Sequence, residues 1–360
     1  MTEPPHAAGT ALSELTPHGA ALAPPRVCAE PLPAVRLRVA PEDFLVEEEL
    51  GFAPQGTGAH QLLRVRKRDA NTQWVARELA RRAGCRVADV GYAGLKDRRA
   101  LALQWFSVPR PRTPVAWQEL ESESFAVLEV HAHHRKLPRG ALAGNRFSVR
   151  LATEYGARLA TQLAPRLAAI AGAGVPNYFG PQRFGRGGAN LRLGLSDPRQ
   201  LAGAERGFVL SAARSALFNA VLAARVRDGS WEHLEAGDVA NLDGRGSVFA
   251  VPELDATLAA RAARLELHPT GPLWGVGAPP SLARVRALEE AAAAALAEQA
   301  ALCVAAGMRQ ERRSLRLAVG ELRAVAEPQA LLLQFRLTRG GFATAVLREL
   351  VDAEGTLAET

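Results

Sequence analysis

Strand-like alternation occurs near both ends of this chain, and a helix-rich stretch of different make separates the two. Near the start, His60-Gln-Leu-Leu-Arg-Val-Arg-Lys67 alternates apolar and polar residues, with Arg64 and Arg66 on the polar face. Near the end, Leu331, Leu333, Phe335 and Leu337 alternate in the same way. A period of two is the mark of a half-buried strand. A Gly340-Gly341 break follows, then a helical pattern from Phe342 through Leu350. A terminal strand and helix of this kind can rejoin the first region, which makes the middle an insertion. The expected division is therefore a discontinuous domain of residues 35–174 and 321–360, with 175–320 inserted into it. Residues 1–34 are rich in Pro, Ala and His without periodicity and read as a disordered or loosely ordered extension.

Local signals fill in the rest. Leu37 and Val39 alternate with Arg36 and Arg38 before Pro41, which predicts a short strand. Asn71 is a good helix N-cap, Val75, Leu79 and Ala83 fall on one face, and Gly84 suits the C-terminal cap. Strands are expected over Ser124 to His131 and Phe147 to Leu151, flanking a basic loop from His133 to Arg139. Leu159, Leu163 and Leu167 mark a helix ending near Gly172. Strands and helices interleave without a strict βαβ beat, so the fold class is α+β with a largely antiparallel sheet. In the second region a long helix starts from Ser211, with Leu217, Phe218, Val221 and Leu222 facing one way. Asp243-Gly244 makes a turn between short strands, and Ser281 caps a long alanine-rich helix.

The formal net charge is +7 and the pI about 10.0, a balance that suits an anionic partner, nucleic acid first. Of 44 lysines and arginines only Lys67, Lys96 and Lys136 are lysines, so where lysine is kept its type can matter. Cys28, Cys85 and Cys303 lie far apart and form no CxxC pair, which points away from a zinc knuckle or a disulfide framework and fits a reducing cytoplasm. No apolar run is expected to span a membrane; the stretch 291–307 is alanine-rich but broken by Glu298 and Gln299. The N-terminus lacks the basic-then-apolar layout of a signal peptide.

Four stretches carry candidate chemistry. Gly91-Tyr-Ala-Gly-Leu-Lys-Asp-Arg-Arg-Ala100, followed by Gln104-Trp-Phe106, sets Asp97 between Lys96 and Arg98-Arg99. It lacks the P-loop pattern. A nucleophilic carboxylate must stay ionised while partly shielded from water, and a neighbouring cation offsets that desolvation. The plainer reading is a surface turn with solvated charges. In Gly144-Asn-Arg-Phe147 the Asn145 amide could read a base edge and Phe147 could stack on it, or Phe147 is core. Val175-Pro-Asn-Tyr-Phe-Gly-Pro-Gln-Arg-Phe-Gly185 interleaves aromatics, glycines and arginines, as a base-stacking surface or a packed crossover would; both can hold. Pro41-Glu-Asp-Phe44 turns into a strand, with Phe44 core or base-facing. His131-Ala-His133-His134 has no carboxylate or cysteine partner at a usual metal spacing and reads as part of the basic loop. Neither GxSxG nor GxGxxG occurs at these glycines.

Taken together, and in this order, these stretches resemble the TruD family of tRNA pseudouridine synthases, as do Leu210-Ser-Ala-Ala-Arg-Ser-Ala-Leu-Phe-Asn219 and Gly341-Phe-Ala-Thr344. The resemblance runs from about Arg36 to Leu350. It implies a pseudouridine-synthase catalytic domain, with a mixed, largely antiparallel sheet flanked by helices, and an inserted α+β TruD-specific domain. It implies that Asp97 is catalytic, that Phe44, Asn145 and Phe342 contact substrate with Phe147 beside them, and that the target is uridine 13 of tRNA. Lys96, or an arginine nearby, is expected to keep Asp97 anionic and to line the substrate site. The reaction is an isomerisation, so no redox cofactor, nucleotide or catalytic metal is expected. The partner is tRNA, with no membrane, and the protein is expected to be a monomer. The rivals are a non-catalytic RNA-binding protein or tRNA chaperone on the same scaffold, and a metal-dependent nuclease, which the lack of a carboxylate cluster disfavours.

Overall fold

Leu331, Leu333, Phe335 and Leu337 are all buried, because successive strand residues face opposite ways and these four share the face that packs. Their strand lies beside one from much earlier in the chain, with Ala330 opposite Ala152 at one end and Thr338 opposite Gly144 at the other. The computed structural model describes residue 19 and residues 22–27, 33–193 and 203–354. Most of the expected N-terminal extension, and Cys28, lie outside the described residues.

The early strands are β1 (Ala34–Arg36), β2 (Phe44–Leu50), β3 (His60–Arg68), β4 (Gly91–Tyr92), β5 (Leu101–Pro109), β6 (Phe125–His133) and β7 (Leu142–Ala152). Next come β8 (Val175–Pro176), β9 (Asp238–Leu242), β10 (Val248–Val251), β11 (Leu267–Leu273), β12 (Glu311–Ser314) and β13 (Arg316–Leu317). The last are β14 (Gly320–Glu327), β15 (Ala330–Thr338) and β16 (Asp352–Glu354). The main sheet runs β14-β15-β7-β2-β5-β3-β6, with β1 pairing β7 and β16, and β4 pairing β5. Among the described strands only β2–β5 and β1–β16 are parallel. The fold is thus α+β with a mixed, largely antiparallel sheet. A second sheet, β10-β9-β11-β12, lies in the middle of the chain, and β8 and β13 form a short ribbon.

Helices α1 (Thr72–Ala83), α2 (Gly156–Ala173), α3 (Ala189–Leu193), α4 (Gly203–Arg227), α5 (Ala256–Ala263), α6 (Ala283–Ala295), α7 (Ala297–Ala305) and α8 (Ala343–Leu350) complete the architecture. The α1 caps are as the sequence predicts: the Asn71 side chain accepts from Gln73 N, and Gly84 takes the left-handed conformation at φ 65. One core joins β2, β7 and β15 to α2 and α8, another joins β3, β5 and β6 to α1, and a third gathers around α4.

Five local expectations need correcting. The first strand ends at Arg36; Arg38 turns the backbone at φ 55 and leaves Val39 exposed, so the Leu37/Val39 alternation is not strand pairing. Helix α4 begins before Ser211, at Gly203. Its stretch from Glu205 to Arg227 is long and apolar enough to cross a membrane by length and composition, contrary to expectation, but 61% of its 18-residue apolar window is buried inside the protein. A helix apolar on most sides is suited to a core. Ser281 does not cap α6; its hydroxyl donates to the buried Glu289 at 2.6 Å, and the alanine-rich segment breaks at Leu296 into two helices. Residues 22–27, inside the stretch expected to be loose, lie against α8: Arg348 donates to Pro24 O at 2.7 Å and Glu349 accepts from Val27 N at 3.0 Å.

Candidate active site

The loop from β4 to β5 carries Asp97, and buried side chains fasten its backbone. Lys67, on β3, donates to Asp97 O at 2.6 Å, to Ala70 O at 2.9 Å and to Lys96 O at 3.4 Å. Thr72, at the start of α1, accepts from Lys96 N at 3.1 Å and donates to Gln104 at 3.1 Å. Gln104 in turn donates to Gly94 O at 2.7 Å. Lys67, Thr72 and Gln104 are all buried, where each such bond is shielded from water and worth more than at the surface. Burial takes the Lys67 ammonium down to about 8, and the Asp97 charge works against that fall.

With its backbone held, Asp97 keeps 38% of its side chain exposed and accepts from Arg38 Nη2 at 2.7 Å. The Arg38 side chain is itself only 6% exposed, and its guanidinium lies 4.2 Å from the centre of the Phe44 ring, a cation–π contact. Phe44 meets Phe147 edge-on at 6.0 Å, and Phe147 stacks on Phe335 at 5.3 Å. Phe44 and Phe147 are therefore core residues, and Phe44 bears Arg38 on its face. The expected pairing of Lys96 with Asp97 is not what the structure has. Lys96 turns inward, its Nζ 3.2 Å from Glu48 Oε2, with both side chains buried. Burial pushes the Glu48 carboxyl up and Lys96 draws it partly back.

Across the β2–β7 ladder Glu48 faces Asn145, and Leu337 of β15 stands on the other side of Asn145. The Asn145 Oδ1 is buried and has no hydrogen-bond partner among the described residues. A buried, unpaired acceptor is costly unless something supplies a donor. The turn leading to Phe342 folds back over the same end of the sheet. A Cβ on Gly341 would lie 3.1 Å from that of Leu337 and 2.8 Å from Leu317 Cδ1, so a side chain here would force Leu317 and Leu337 to shift. Phe342 then starts α8. Its ring partner is Phe179, at 6.3 Å, not Phe44. The Arg313 guanidinium sits 4.4 Å from Phe179, 5.5 Å from Phe342 and 5.6 Å from Phe218, and donates to Asn177 at 2.6 Å. Burial among the rings pushes Arg313 below the usual arginine range. The 175–185 stretch is thus a packed crossover, tied by Arg313 to the start of α8.

A catalogue of local patterns would have missed Arg38, Lys67, Thr72 and Arg313. Only Lys67 left a trace, as one of the few lysines in an arginine-rich chain.

The family model for tRNA pseudouridine synthase D (TruD) matches residues 30–193 and 199–350. The chain belongs to the TruD family. As a TruD protein it is a tRNA pseudouridine synthase, an isomerase. The tRNA pseudouridine synthase D of Methylococcus capsulatus is 48% identical over 334 residues, covering 91% of this chain and 94% of that protein. That of Pseudomonas putida strain GB-1 is 45% identical over 337 residues, covering 91% and 94%. A solved TruD structure from Methanosarcina mazei superposes with a TM-score of 0.69 at 20% identity, covering 91% of this chain and 95% of that one; this last likeness is one of fold.

Two other features concern the basic loop and the histidine stretch. An open groove beside Gly91 and Tyr92 is lined by Arg77, Lys136 and Arg139, with Arg139 lying 4.0 Å over the Tyr92 ring. In the histidine stretch, His131 pairs with Glu129 at 3.1 Å and His133 stacks on Phe52. Among the described residues no group of three His, Cys, Asp or Glu is arranged to hold a metal.

Proposed function

We propose that this protein converts uridine 13 of tRNA to pseudouridine, with Asp97 as the nucleophile. The observation that carries the reading is a half-exposed carboxylate on a loop pinned by buried side chains, in a family whose members are tRNA pseudouridine synthases. The pins fix where the carboxylate can go, and such preorganisation is what an attacking group needs.

The target nucleotide leaves its stack to reach Asp97. Asp97 either attacks C1′ of the ribose or removes a ribose proton; in both routes the C1′–N1 bond breaks and uracil is released with that electron pair. The base turns and C5 bonds to C1′, which breaks the Asp97–C1′ bond in the first route and is followed by return of the ribose proton in the second; the C5 hydrogen leaves as a proton and N1 gains one, so the product is an isomer. Arg38 orients the carboxylate, Phe44 supports Arg38, and Phe147 backs Phe44 from the core. Asn145 offers an acceptor with no partner among the described residues, which suits the N3–H of uracil, and Phe342 closes the same end of the site. The segment 175–320 acts as an inserted domain that grips the tRNA, with the basic faces contacting its backbone.

Tritium release from tRNA transcribed with 5-tritiated uridine tests the reading. About one equivalent per tRNA is expected from the wild type, none from Asp97→Asn, and none from a transcript with position 13 replaced. A folded wild type that binds tRNA but releases no tritium would leave a binding protein on the same scaffold.

A further inference from the structure

Two of the three lysines in this arginine-rich chain meet beneath the loop of Asp97. Chance placement would have put arginine there, so the shape of the head group matters. An ammonium is compact and presents three donors in a tetrahedral array; a guanidinium is a planar fork of five. Lys67 is fully buried, and the acceptors it meets are three backbone carbonyls, those of Ala70, Lys96 and Asp97. A guanidinium in that space would leave N–H groups unpaired and push the loop outward. Lys96 leaves the same loop in the other direction and ends against Glu48, whose side chain has no exposed surface. Glu48 in turn faces Asn145 across the sheet. The two lysines thus grip consecutive residues of the loop from two sides.

We infer that Lys67 and the Glu48–Lys96 pair are positioning residues that together lock residues 96–97, so that Asp97 stands at its attacking position and Asn145 at its own. The inference rests on Asp97 as the nucleophile. It requires lysine, not merely positive charge, at position 67.

A consequence in pH separates this role from plain structural support. The charged groups that act on the Lys67 ammonium are Asp97 and Asp69, which favour its proton, and Lys96, which opposes it; burial outweighs them and brings Lys67 down to about 8. Above that pH the ammonium loses its proton and its grip on the loop, so the rate falls. Stability moves the other way. Between about 8 and the unfolded lysine value of about 10.4 the unfolded chain holds more protons than the folded one, so this group makes the fold relatively more stable as pH rises.

The test uses the full chain and single-turnover tritium release, with tRNA affinity and melting temperature measured alongside. Lys67→Met and Lys67→Arg are expected to lower the rate by about 100-fold, the scale of a roughly 1 Å misplacement, with tRNA Kd changed by less than about threefold. The wild-type rate should fall above pH 8, and that fall should be absent in Lys67→Met. Lys96→Met alone leaves Glu48 buried without its cation and should lower the melting temperature. The double variant Lys96→Met/Glu48→Gln should recover the melting temperature but not the rate. Wild-type rate in folded Lys67→Arg, an unchanged alkaline fall in Lys67→Met, or a double variant that recovers the rate would each overturn the inference. The wild-type control keeps the two readings apart: wild-type turnover with indifferent lysines sinks this inference alone, whereas absence of wild-type turnover sinks the nucleophile with it. The wild-type pH profile needs no variant, so a variant that fails to fold does not block the test.

Discussion

Two arginine–aspartate pairs, one in the sheet region and one in the middle of the chain, are built to different ends. In the sheet region Arg38 reaches Asp97 at 2.7 Å, and the carboxylate stays 38% exposed. In the middle of the chain Arg225, on α4, reaches both oxygens of Asp238, at 2.6 and 3.2 Å, and Asp238 also accepts from Glu235 N at 2.7 Å. Neither of those side chains exceeds 1% exposure. The remaining Arg225 donors go to Ser230 and His233. The same pattern recurs nearby, where Arg312 takes Glu289 with two nitrogens and Arg316 is spread over His268 and three backbone carbonyls. A saturated ion pair has no valence left for a substrate; its effect is on the fold. A carboxylate that keeps part of its surface open to solvent is the one able to meet a ligand.

The sharpest way to break this contrast is to remove one member of each pair and measure both rate and stability. Asp97→Asn should lower the tritium-release rate by at least about 10⁴-fold, the scale seen when a nucleophile is removed, and cost about 1 kcal/mol of unfolding free energy, the difference between a charge-assisted and a neutral hydrogen bond to Arg38. Arg225→Met should do the reverse. It leaves Asp238 buried without its cation, a loss of about 3–5 kcal/mol, while the rate of whatever stays folded remains near wild type. Burial already pushes the Asp238 carboxyl up, and Arg225 opposes that. If the two variants lost stability equally in denaturant titrations, the distinction between the pairs would be gone.

A smaller effect sharpens what Arg38 does. Arg38→Met removes a charge-assisted hydrogen bond of about 1.5–3 kcal/mol and a cation–π contact, yet keeps an apolar chain over Phe44. The single-turnover rate should fall by about 10- to 100-fold, with tRNA affinity little changed. A fall in affinity without a fall in rate would make Arg38 a phosphate contact. Arg313→Met comes next. Arg313 joins Asn177 to the rings of Phe179 and Phe342; its contacts are of the kind worth up to about 2 kcal/mol when desolvated, so kcat/KM should drop by roughly 5- to 30-fold. An unchanged kcat/KM would show that Phe342 is held by α8 alone.

The parts of the fold that could be read from the sequence are those whose cause is local. Alternation placed β3 and β15 because a strand's periodicity belongs to its own residues, and Asn71 and Gly84 bounded α1 because caps act within a turn. The proposal for Asp97 rests on a family resemblance spread over several stretches, since composition alone leaves a charged turn. What could not be read depends on contacts across distance or on a single dihedral. Arg38 reaches Asp97 across 59 positions, and it does so after a left-handed turn at φ 55 that a non-glycine residue rarely adopts. Lys96 adjoins Asp97 in sequence yet pairs with the buried Glu48, a partner that adjacency cannot show. Ser281 has the right chemistry for a cap, but a buried carboxylate eight residues on competes for its hydroxyl.

The smallest expected effect concerns the surface that neither aspartate occupies. Arg77 and Arg139 line the open groove at the start of the Asp97 loop, Arg77 on α1 and Arg139 in the basic loop before β7. A groove of this kind contacts phosphates and not base edges, because its charges are exposed and carry no paired donor–acceptor pattern. Each phosphate contact releases counterions on binding, so the slope of log affinity against log salt counts such contacts. Arg77→Ala and Arg139→Ala should each weaken tRNA binding by a similar factor for every tRNA tested and reduce that slope by about one. With the tRNA saturating, the rate at Asp97 should be untouched, since neither side chain reaches the loop's pins at Lys67, Thr72 and Gln104. A slope equal to the wild type's would take the groove out of the tRNA path and leave the other basic faces to account for binding. A loss of saturated rate would mean that the groove and the loop move together, and that the separation drawn here between gripping and attacking is too clean.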